Sequence, residues 1–301
     1  MGAASVSGRG GAGSTRGHSF DGEVFEVLLG RGGAAVRRGG ALAVAAGRGA
    51  PWAVVAAVVA APRVAAAAAV ALGALALLQH RRKSFSARVA AVAVPVVMGW
   101  VDEALRDLRL DQLKGLRGRV LDVGCGDAPY LEYARGKPVE LYVCLEPNPG
   151  LQGAVKARAE KLLPVDGIRV EQFAGTLEEL PAGNYPEGSF DAVILGNVLC
   201  EVPDPKAAVA RCRALLRPGG RVYFCEHVLD QDVPLRRALQ RAINPWWSVV
   251  SDGCNCNRDS VATLRGAFGA PNVASLPVYL DHIPFPWLAR FELGVAVHRG
   301  P

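Results

Sequence analysis

The run Val120-Leu121-Asp122-Val123-Gly124-Cys125-Gly126 breaks an apolar strand in a glycine turn, and it restricts the fold more than any other stretch of the chain. A backbone leaving a buried strand through Gly-x-Gly bends sharply and keeps Cβ atoms out of the bend, which glycine does without steric penalty. Twenty residues after Gly126, a second apolar run, Leu141 to Glu146, ends in an acid. A glycine-rich first βα turn paired with an acid closing the second strand is how open α/β sheets hold a nucleoside: the turn approaches the ligand and the carboxylate accepts from ribose hydroxyls.

The chain continues the same alternation. Strand-like runs at 120–125, 139–146, 168–175, 190–197 and 221–228 are separated by helical segments at 130–134, 149–163 and 203–216, the last closed by Arg217-Pro218-Gly219-Gly220. Residues 229–301 add a helix at 235–243, a Trp-Trp insertion, a helix from Arg258 to Phe268, and late strands at 271–280 and 291–299. Strands alternating with helices predict a doubly wound, mostly parallel α/β sheet. Upstream, Trp100, Val101, Ala104, Leu105, Leu108 and Leu113 recur at three- and four-residue spacing, so the stretch from Phe85 to Leu116 reads as helical and is expected to cover the cofactor turn or the substrate entrance.

Composition matters chiefly through its distribution. The net charge of +6 invites a nucleic-acid reading, but 11 of the 34 basic residues and only 3 of the 28 acids precede residue 89, leaving the remainder slightly acidic. The folded part therefore lacks the basic footprint of a nucleic-acid binder. The first 50 residues hold 14 of the 35 glycines with scattered arginines, a flexible leader of targeting-peptide type. Residues 52–78 contain 13 Ala and 10 Val or Leu, interrupted by Arg63 beside Pro62, and Gln79-His80-Arg81-Arg82-Lys83 follow as a basic stop. At ~1.5 Å rise per residue such a helix spans a bilayer core of ~30 Å. The expected plan is a leader at 1–50, a hydrophobic membrane anchor at 51–83 and a catalytic domain at 84–301, at a membrane of endoplasmic-reticulum or plastid type. An Ala-rich linker is the alternative for 52–78.

The seven cysteines form no Cys-x-x-Cys pair, and Cys254-x-Cys256 is a poor zinc spacing. Cys125, Cys144, Cys200 and Cys225 lie in or beside apolar runs, where a reduced cysteine behaves as a small hydrophobe. The expectation is a reducing compartment and no metal site.

The glycine turn also discriminates between nucleosides. A dinucleotide turn carries a third glycine and faces pyrophosphate from a helix N-terminus. Here Asp127, Ala128 and Pro129 follow Gly126, and Asp122 sits within the strand itself. An anionic side chain there suits a cationic ligand, such as the sulfonium and ammonium of S-adenosylmethionine, better than a diphosphate.

Four elements in order, LDVGCG, CLEPN, FDAVILGNVL and LLRPGG before a strand, resemble the class I S-adenosylmethionine-dependent methyltransferases. The chain is more narrowly similar to the membrane-associated thiol S-methyltransferases of the methyltransferase-like 7 group, through LEPNP (145–149), NVLCEV (197–202), LLRPGG with YFCEHV (215–228) and NPWWSVVSDGCNCNRDSVATL (244–264). The resemblance covers about 95–298 and implies a seven-stranded methyltransferase sheet behind an N-terminal hydrophobic helix. It implies that Gly124, Cys125 and Gly126 border the cofactor's methionine and ribose, that Asp122 holds the methionine end, and that Glu146 with Pro147 meets the ribose. Gly175, Thr176 and Leu177 would border adenine, with Thr176 standing where many relatives carry an acid, and Asn197 and Val198 would line the methyl-transfer mouth. Ala128, in place of a third glycine, is expected to cost little.

Methyl transfer needs alignment above all, and a thiol acceptor of pKa ~8.5 is already partly ionised near neutrality. Glu226 and His227, directly after the fifth strand, are the candidate bases, each with a structural role as the alternative. Trp246, Trp247, Asp252 and Cys254 are candidates for the acceptor pocket, Asp252-Gly253 being equally a turn signal. The two tryptophans would form an apolar lid, a membrane-interface contact or plain core. The expected function is methylation of a small, lipophilic acceptor with thiols favoured; a quinone or other C/O-acceptor, or a cofactor-binding scaffold without turnover, are the alternatives.

Overall fold

The computed structural model describes residues 99, 101–162, 167–251, 253–280, 283 and 285–300, with the backbone of residues 42–43. The strands are β1 (Leu42–Ala43), β2 (Gly118–Val123), β3 (Val139–Leu145), β4 (Arg169–Phe173), β5 (Phe190–Gly196), β6 (Leu216–His227), β7 (Val273–Tyr279) and β8 (Arg290–Val297). The helices are α1 (101–112), α2 (Gln152–Leu162), α3 (Pro205–Leu215), α4 (Pro234–Val250) and α5 (Ser260–Phe268). The proposed leader and anchor, apart from β1, lie outside the described residues, as do Trp100 and Asp252.

The strands form one sheet in the order β1-β7-β8-β6-β5-β2-β3-β4. Strands β2 to β6 pair parallel, and β8 runs antiparallel to both β6 and β7. The seven strands from β2 to β8 match the number expected, and the two residues of β1 add an edge beside β7. Strand order reverses between β2 and β5, and ligands of open α/β sheets bind in the crevice beyond the strand ends at such a point.

Side chains on β2 alternate between two apolar layers, as a parallel strand covered on both faces requires. Val120 packs with Leu105, Leu116, Tyr142 and Tyr223 on the α1 side. Leu121 and Val123 pack with Leu180, Val209, Cys212 and Leu264 on the α3 and α5 side. Gln112, at the end of α1, donates from Nε2 to the carbonyls of Phe224 and Gly294, each at 2.7 Å. Arg109, 1% exposed, pairs with Asp102 and stacks over Tyr130 at 4.8 Å. Those two buried residues clamp α1 to β6 and β8 and onto the segment that follows the glycine turn.

Two segments show how the fold treats these turn residues. The helix expected at 203–216 ends at Leu215 with Leu216 as its cap, and Arg217-Pro218-Gly219-Gly220 follow directly at the start of β6, where the register against β5 shifts between Phe190 and Ala192. Proline lacks a ladder donor, Gly219 turns at φ +82, and its amide donates to the His298 carbonyl at 2.6 Å. The Trp-Trp stretch, by contrast, is no insertion, because α4 runs through Pro245 to Val250. The helix loses one backbone donor at Pro245, while the next turn is anchored by Trp247 against Phe285 and Trp287, both 5.6 Å away centroid to centroid.

Candidate functional site

The glycine turn lies at the carboxyl end of β2, on the crevice side. Gly124, Gly126 and Ala128 have φ values of +60, +59 and +60. A Cβ on Gly124 would lie 2.5 Å from Val198 Cγ2, whereas one on Gly126 would meet nothing within 4 Å. Gly124 thus serves close packing of two loops, and Gly126 keeps an open approach. Ala128 takes the left-handed conformation at zero exposure, which for a residue with a Cβ costs about 1–2 kcal/mol; the expectation of little cost is corrected.

Glu146 reaches across from the end of β3. Its Oε2 accepts from Gly126 N at 2.9 Å and its Oε1 from Asn148 N at 2.8 Å. Each oxygen keeps a further lone pair, so the carboxylate fixes the turn and can still accept from a ligand. Gln152, opening α2, donates to the Glu146 carbonyl at 2.6 Å. Asp122 lies beneath the turn, 1% exposed, and accepts from the Tyr142 hydroxyl at 2.8 Å. Burial pushes its carboxyl up to about 7, the Tyr142 hydrogen bond opposing and the nearby Glu146 charge adding. Pro147 is exposed beside this group. At the end of β4, the Thr176 amide donates to the Glu179 carboxylate at 2.7 Å, and Leu177 is buried. Glu179 supplies an acid in this neighbourhood that the reading of Thr176 did not anticipate.

The turn after β5 forms the opposite wall. Asn197 sits at φ +58, a strained conformation for a non-glycine residue. Glu226, with no exposed surface, places Oε1 3.0 Å from Val198 N and 3.1 Å from Leu199 N, accepting from both. Its Oε2 is buried with no partner among the described residues. Burial raises the Glu226 carboxyl to about 7 against the pull of those two amides. The His227 amide donates to Asn197 Oδ1 at 3.3 Å, so β6 and the turn are stitched together twice.

His227 directs its ring toward Cys254, Nε2 lying 3.2 Å from Sγ. Trp247 Nε1 donates to the same sulfur at 3.3 Å, and Cys200 Sγ completes a group whose ligand atoms all lie within 4.8 Å of one another. Hydrogen bonding from Cys200, then the His227 ring and Trp247, draws the Cys254 thiol well below its ordinary value. Burial pulls His227 down, but the sulfur beside it outweighs burial and leaves the ring raised. Cys200 was missed by sequence spacing, since it meets His227 and Cys254 only through the fold. Trp246 is not in this group; it is 37% exposed on the outer face of α4.

Residues 98–274, more than half of the chain, match the family described as a methyltransferase domain. Human thiol S-methyltransferase TMT1B is 30% identical over 191 residues, spanning 62% of this chain and 75% of that enzyme. Human thiol S-methyltransferase TMT1A is 32% identical over 162 residues, spanning 52% and 63%. The ubiquinone biosynthesis O-methyltransferase of Bordetella avium is 34% identical over 128 residues, spanning 40% and 49%. In fold, a chain of the Haloferax volcanii complex between the Trm112 methyltransferase activator and a methyltransferase aligns with a TM-score of 0.50 at 18% identity, covering 72% of this chain and 98% of that one. With its glycine turn, its acid-ended second strand and its five parallel strands closed by an antiparallel one, the chain belongs to the methyltransferase-domain family and is an S-adenosylmethionine-dependent methyltransferase.

Proposed function

We propose that the enzyme methylates the sulfur of small, lipophilic thiols at a membrane surface. The observation that carries the acceptor class is the likeness to a thiol S-methyltransferase along 75% of that relative's length. The site's electrostatics support it. Glu226 is fully buried and committed to two backbone amides, and His227 is 4% exposed and committed to Cys254. Neither is disposed as a solvent-facing base. A thiol of pKa ~8.5 supplies several per cent thiolate near neutrality without one, whereas a phenol of pKa ~10 supplies far less.

The cradle suits S-adenosylmethionine: a Cβ at Gly126 would fill an open approach, and the Glu146 carboxylate beside it has acceptor capacity left. In this reading Gly124, Cys125 and Gly126 carry the backbone past the methionine and ribose, and Glu146 with Pro147 takes the ribose. Asp122 supports the turn from below, and its carboxyl, raised to about 7 by burial, brings negative charge toward the methionine end as the pH passes that value. Gly175, Thr176 and Leu177 border adenine. The bound cofactor supplies an electrophilic methyl on a sulfonium. Asn197 and Val198 line the mouth, and Glu226 is a positioning residue that holds Val198 and Leu199 in place. Transfer forms the acceptor's new carbon–sulfur bond as the methyl–sulfonium bond breaks, and the acceptor's proton passes to water.

Membrane association in this reading has two parts. Residues 52–78 lie outside the described residues, and no helix among the described residues is long and apolar enough to cross a membrane. The second part is α4, where Leu235, Leu239, Trp246 and Val249 follow helical spacing and are 80%, 37%, 37% and 37% exposed. An exposed apolar stripe along one helix face is the arrangement of a helix lying in a headgroup layer. The proposed plan keeps the catalytic domain at 84–301, behind the anchor segment at 51–83.

The test is one panel of alkyl thiols, cysteine, phenols and quinols assayed with purified enzyme and labelled S-adenosylmethionine. Alkyl thiols should lead, with hydrophobic ones ahead of cysteine. Faster turnover of phenols or quinols would overturn the acceptor class in favour of O-methylation.

A further inference from the structure

We infer that Cys200, His227 and Cys254 form a binding site for a zinc-class divalent cation, with one coordination position left open. Cys200 Sγ, His227 Nε2 and Cys254 Sγ lie within 4.8 Å of one another, and all three residues are buried. Zinc bonds of about 2.3 Å to sulfur and about 2.0–2.1 Å to nitrogen set tetrahedral edges of about 3.8 Å between sulfurs and about 3.6 Å between sulfur and nitrogen. The His227–Cys254 edge is already 3.2 Å, so closing the set around an ion requires donor movements of about 1 Å or less.

Each donor comes from a different backbone segment, and hydrogen bonds tie the segments together. The Cys200 carbonyl accepts from Asn255 N at 2.9 Å and Asn255 Nδ2 at 3.1 Å, which ties the turn after β5 to the loop that carries Cys254. Arg258 Nη1 locks the same turn, donating to the carbonyls of Leu199 and Val202 at 2.7 Å each. His227 ends β6, its amide on Asn197. Trp247 Nε1–H, 3.3 Å from Cys254 Sγ, is the outer-shell donor that steadies a metal-bound thiolate. Among the described residues no partner meets His227 Nδ1, so the sulfur group is the ring's sole polar anchor there.

The donor chemistry selects the ion. Two sulfurs and an imidazole are soft and borderline ligands that disfavour magnesium and calcium. Two thiolates and a neutral imidazole also cancel the charge of a dication, which a buried site requires. Loading needs no oxidant: the Cys200 thiol gives up its proton, any proton on Cys254 leaves too, and both go to solvent. Three protein ligands with an open fourth position are the pattern of catalytic rather than structural zinc. Where the thiol reading above holds, a small thiol would be able to take that position, its proton passing to water.

The experiment is elemental analysis of the full chain, purified under reducing conditions and equilibrated with excess zinc before desalting. About one zinc per chain is expected, lost in Cys200→Ser/Cys254→Ser and in His227→Gln, and retained in Cys212→Ala, whose cysteine is buried in α3. Calorimetric S-adenosylmethionine binding by each variant reports whether it folds. The cobalt-substituted protein should show sulfur-to-metal charge-transfer absorption and the strong visible bands of tetrahedral cobalt. No bound metal, equal metal in the double variant, or a Cys200–Cys254 disulfide in the reduced preparation would overturn the site. A cobalt spectrum that small thiols leave unchanged overturns the open fourth position alone. A metal-loaded enzyme that turns over no thiol overturns the acceptor reading while the site stands.

Discussion

Asp122 gives the sharpest quantitative test of how the glycine turn is built. Its carboxyl is 1% exposed, it accepts from the Tyr142 hydroxyl at 2.8 Å, and burial raises it from 3.8 to about 7. The folded chain therefore keeps a proton that the unfolded chain releases once the pH passes about 4. Stability from this group falls as pH rises between about 4 and 7, then levels off when both states are ionised. The full penalty is about 4 kcal/mol, of which between 2 and 3 kcal/mol accrues from pH 5 to pH 8. Asp122→Asn keeps the shape and an acceptor for Tyr142 while removing the titration. Urea unfolding of both proteins at pH 5 and pH 8, with a slope of about 1–3 kcal/mol/M, should show the variant gaining about 1–2 M in midpoint relative to wild type across that interval. Parallel pH profiles for the two proteins, within about 0.5 kcal/mol, would mean that Asp122 is solvated and that the packing described around Tyr142 is wrong.

Other expectations separate folding from binding. Gly126→Ala should lower stability by only about 1–2 kcal/mol, the left-handed penalty, yet weaken S-adenosylmethionine binding by more than tenfold in calorimetry, because its Cβ enters the open approach. Gly124→Ala should unfold more readily, and Val198→Ala in the same chain should restore part of the loss by removing the methyl 2.5 Å away; absence of coupling in that double-mutant cycle refutes the contact. Asp230, fully buried against Arg236 at 2.9 Å and capping the amides of Asp232 and Val233 at 2.9 Å each, should cost about 3–5 kcal/mol as Asp230→Ala in denaturant titration. On α4, Leu235→Glu and Leu239→Glu should each reduce co-flotation with anionic vesicles by about tenfold, from the loss of about 1.5 kcal/mol or more of apolar burial per side chain; unchanged flotation removes the helix from the membrane contact.

The legible part of this chain was the part written locally. Near-continuous apolar runs located β2, β3 and β5, and the Gly-x-Gly turn with Glu146 marked two segments that the fold brings into hydrogen-bond contact, because strand pattern and turn chemistry act within a few residues. Where sequence reading slipped, a tertiary contact had overridden a local signal. The helix expected at 235–243 gives way to a Trp-Trp insertion in the sequence reading, but the packing of Trp247 on Phe285 and Trp287 carries α4 on through Pro245. Ala128 reads as a harmless replacement for glycine until its backbone is seen at φ +60.

The sulfur group falls outside local signals altogether. Metal spacings recognisable in sequence are those in which two ligands share one turn, as in Cys-x-x-Cys. Cys200, His227 and Cys254 each come from a different element, and the sheet order sets β5 beside β6 so that the first two emerge as neighbours. The third arrives because Asn255 bonds back to the Cys200 carbonyl. The same neighbouring strand ends place Glu226 under the Val198 and Leu199 amides, so the wall proposed above for the methyl-transfer mouth and the sulfur group share one backbone arrangement. A substitution that loosens the β5–β6 ends, such as Glu226→Ala, should for that reason disturb both together: lower turnover through Val198, and weaker metal retention through Cys200. If Glu226→Ala slows methyl transfer while metal content and the cobalt spectrum stay as in wild type, the two sides are mechanically separate and the coupling drawn from that shared backbone is refuted.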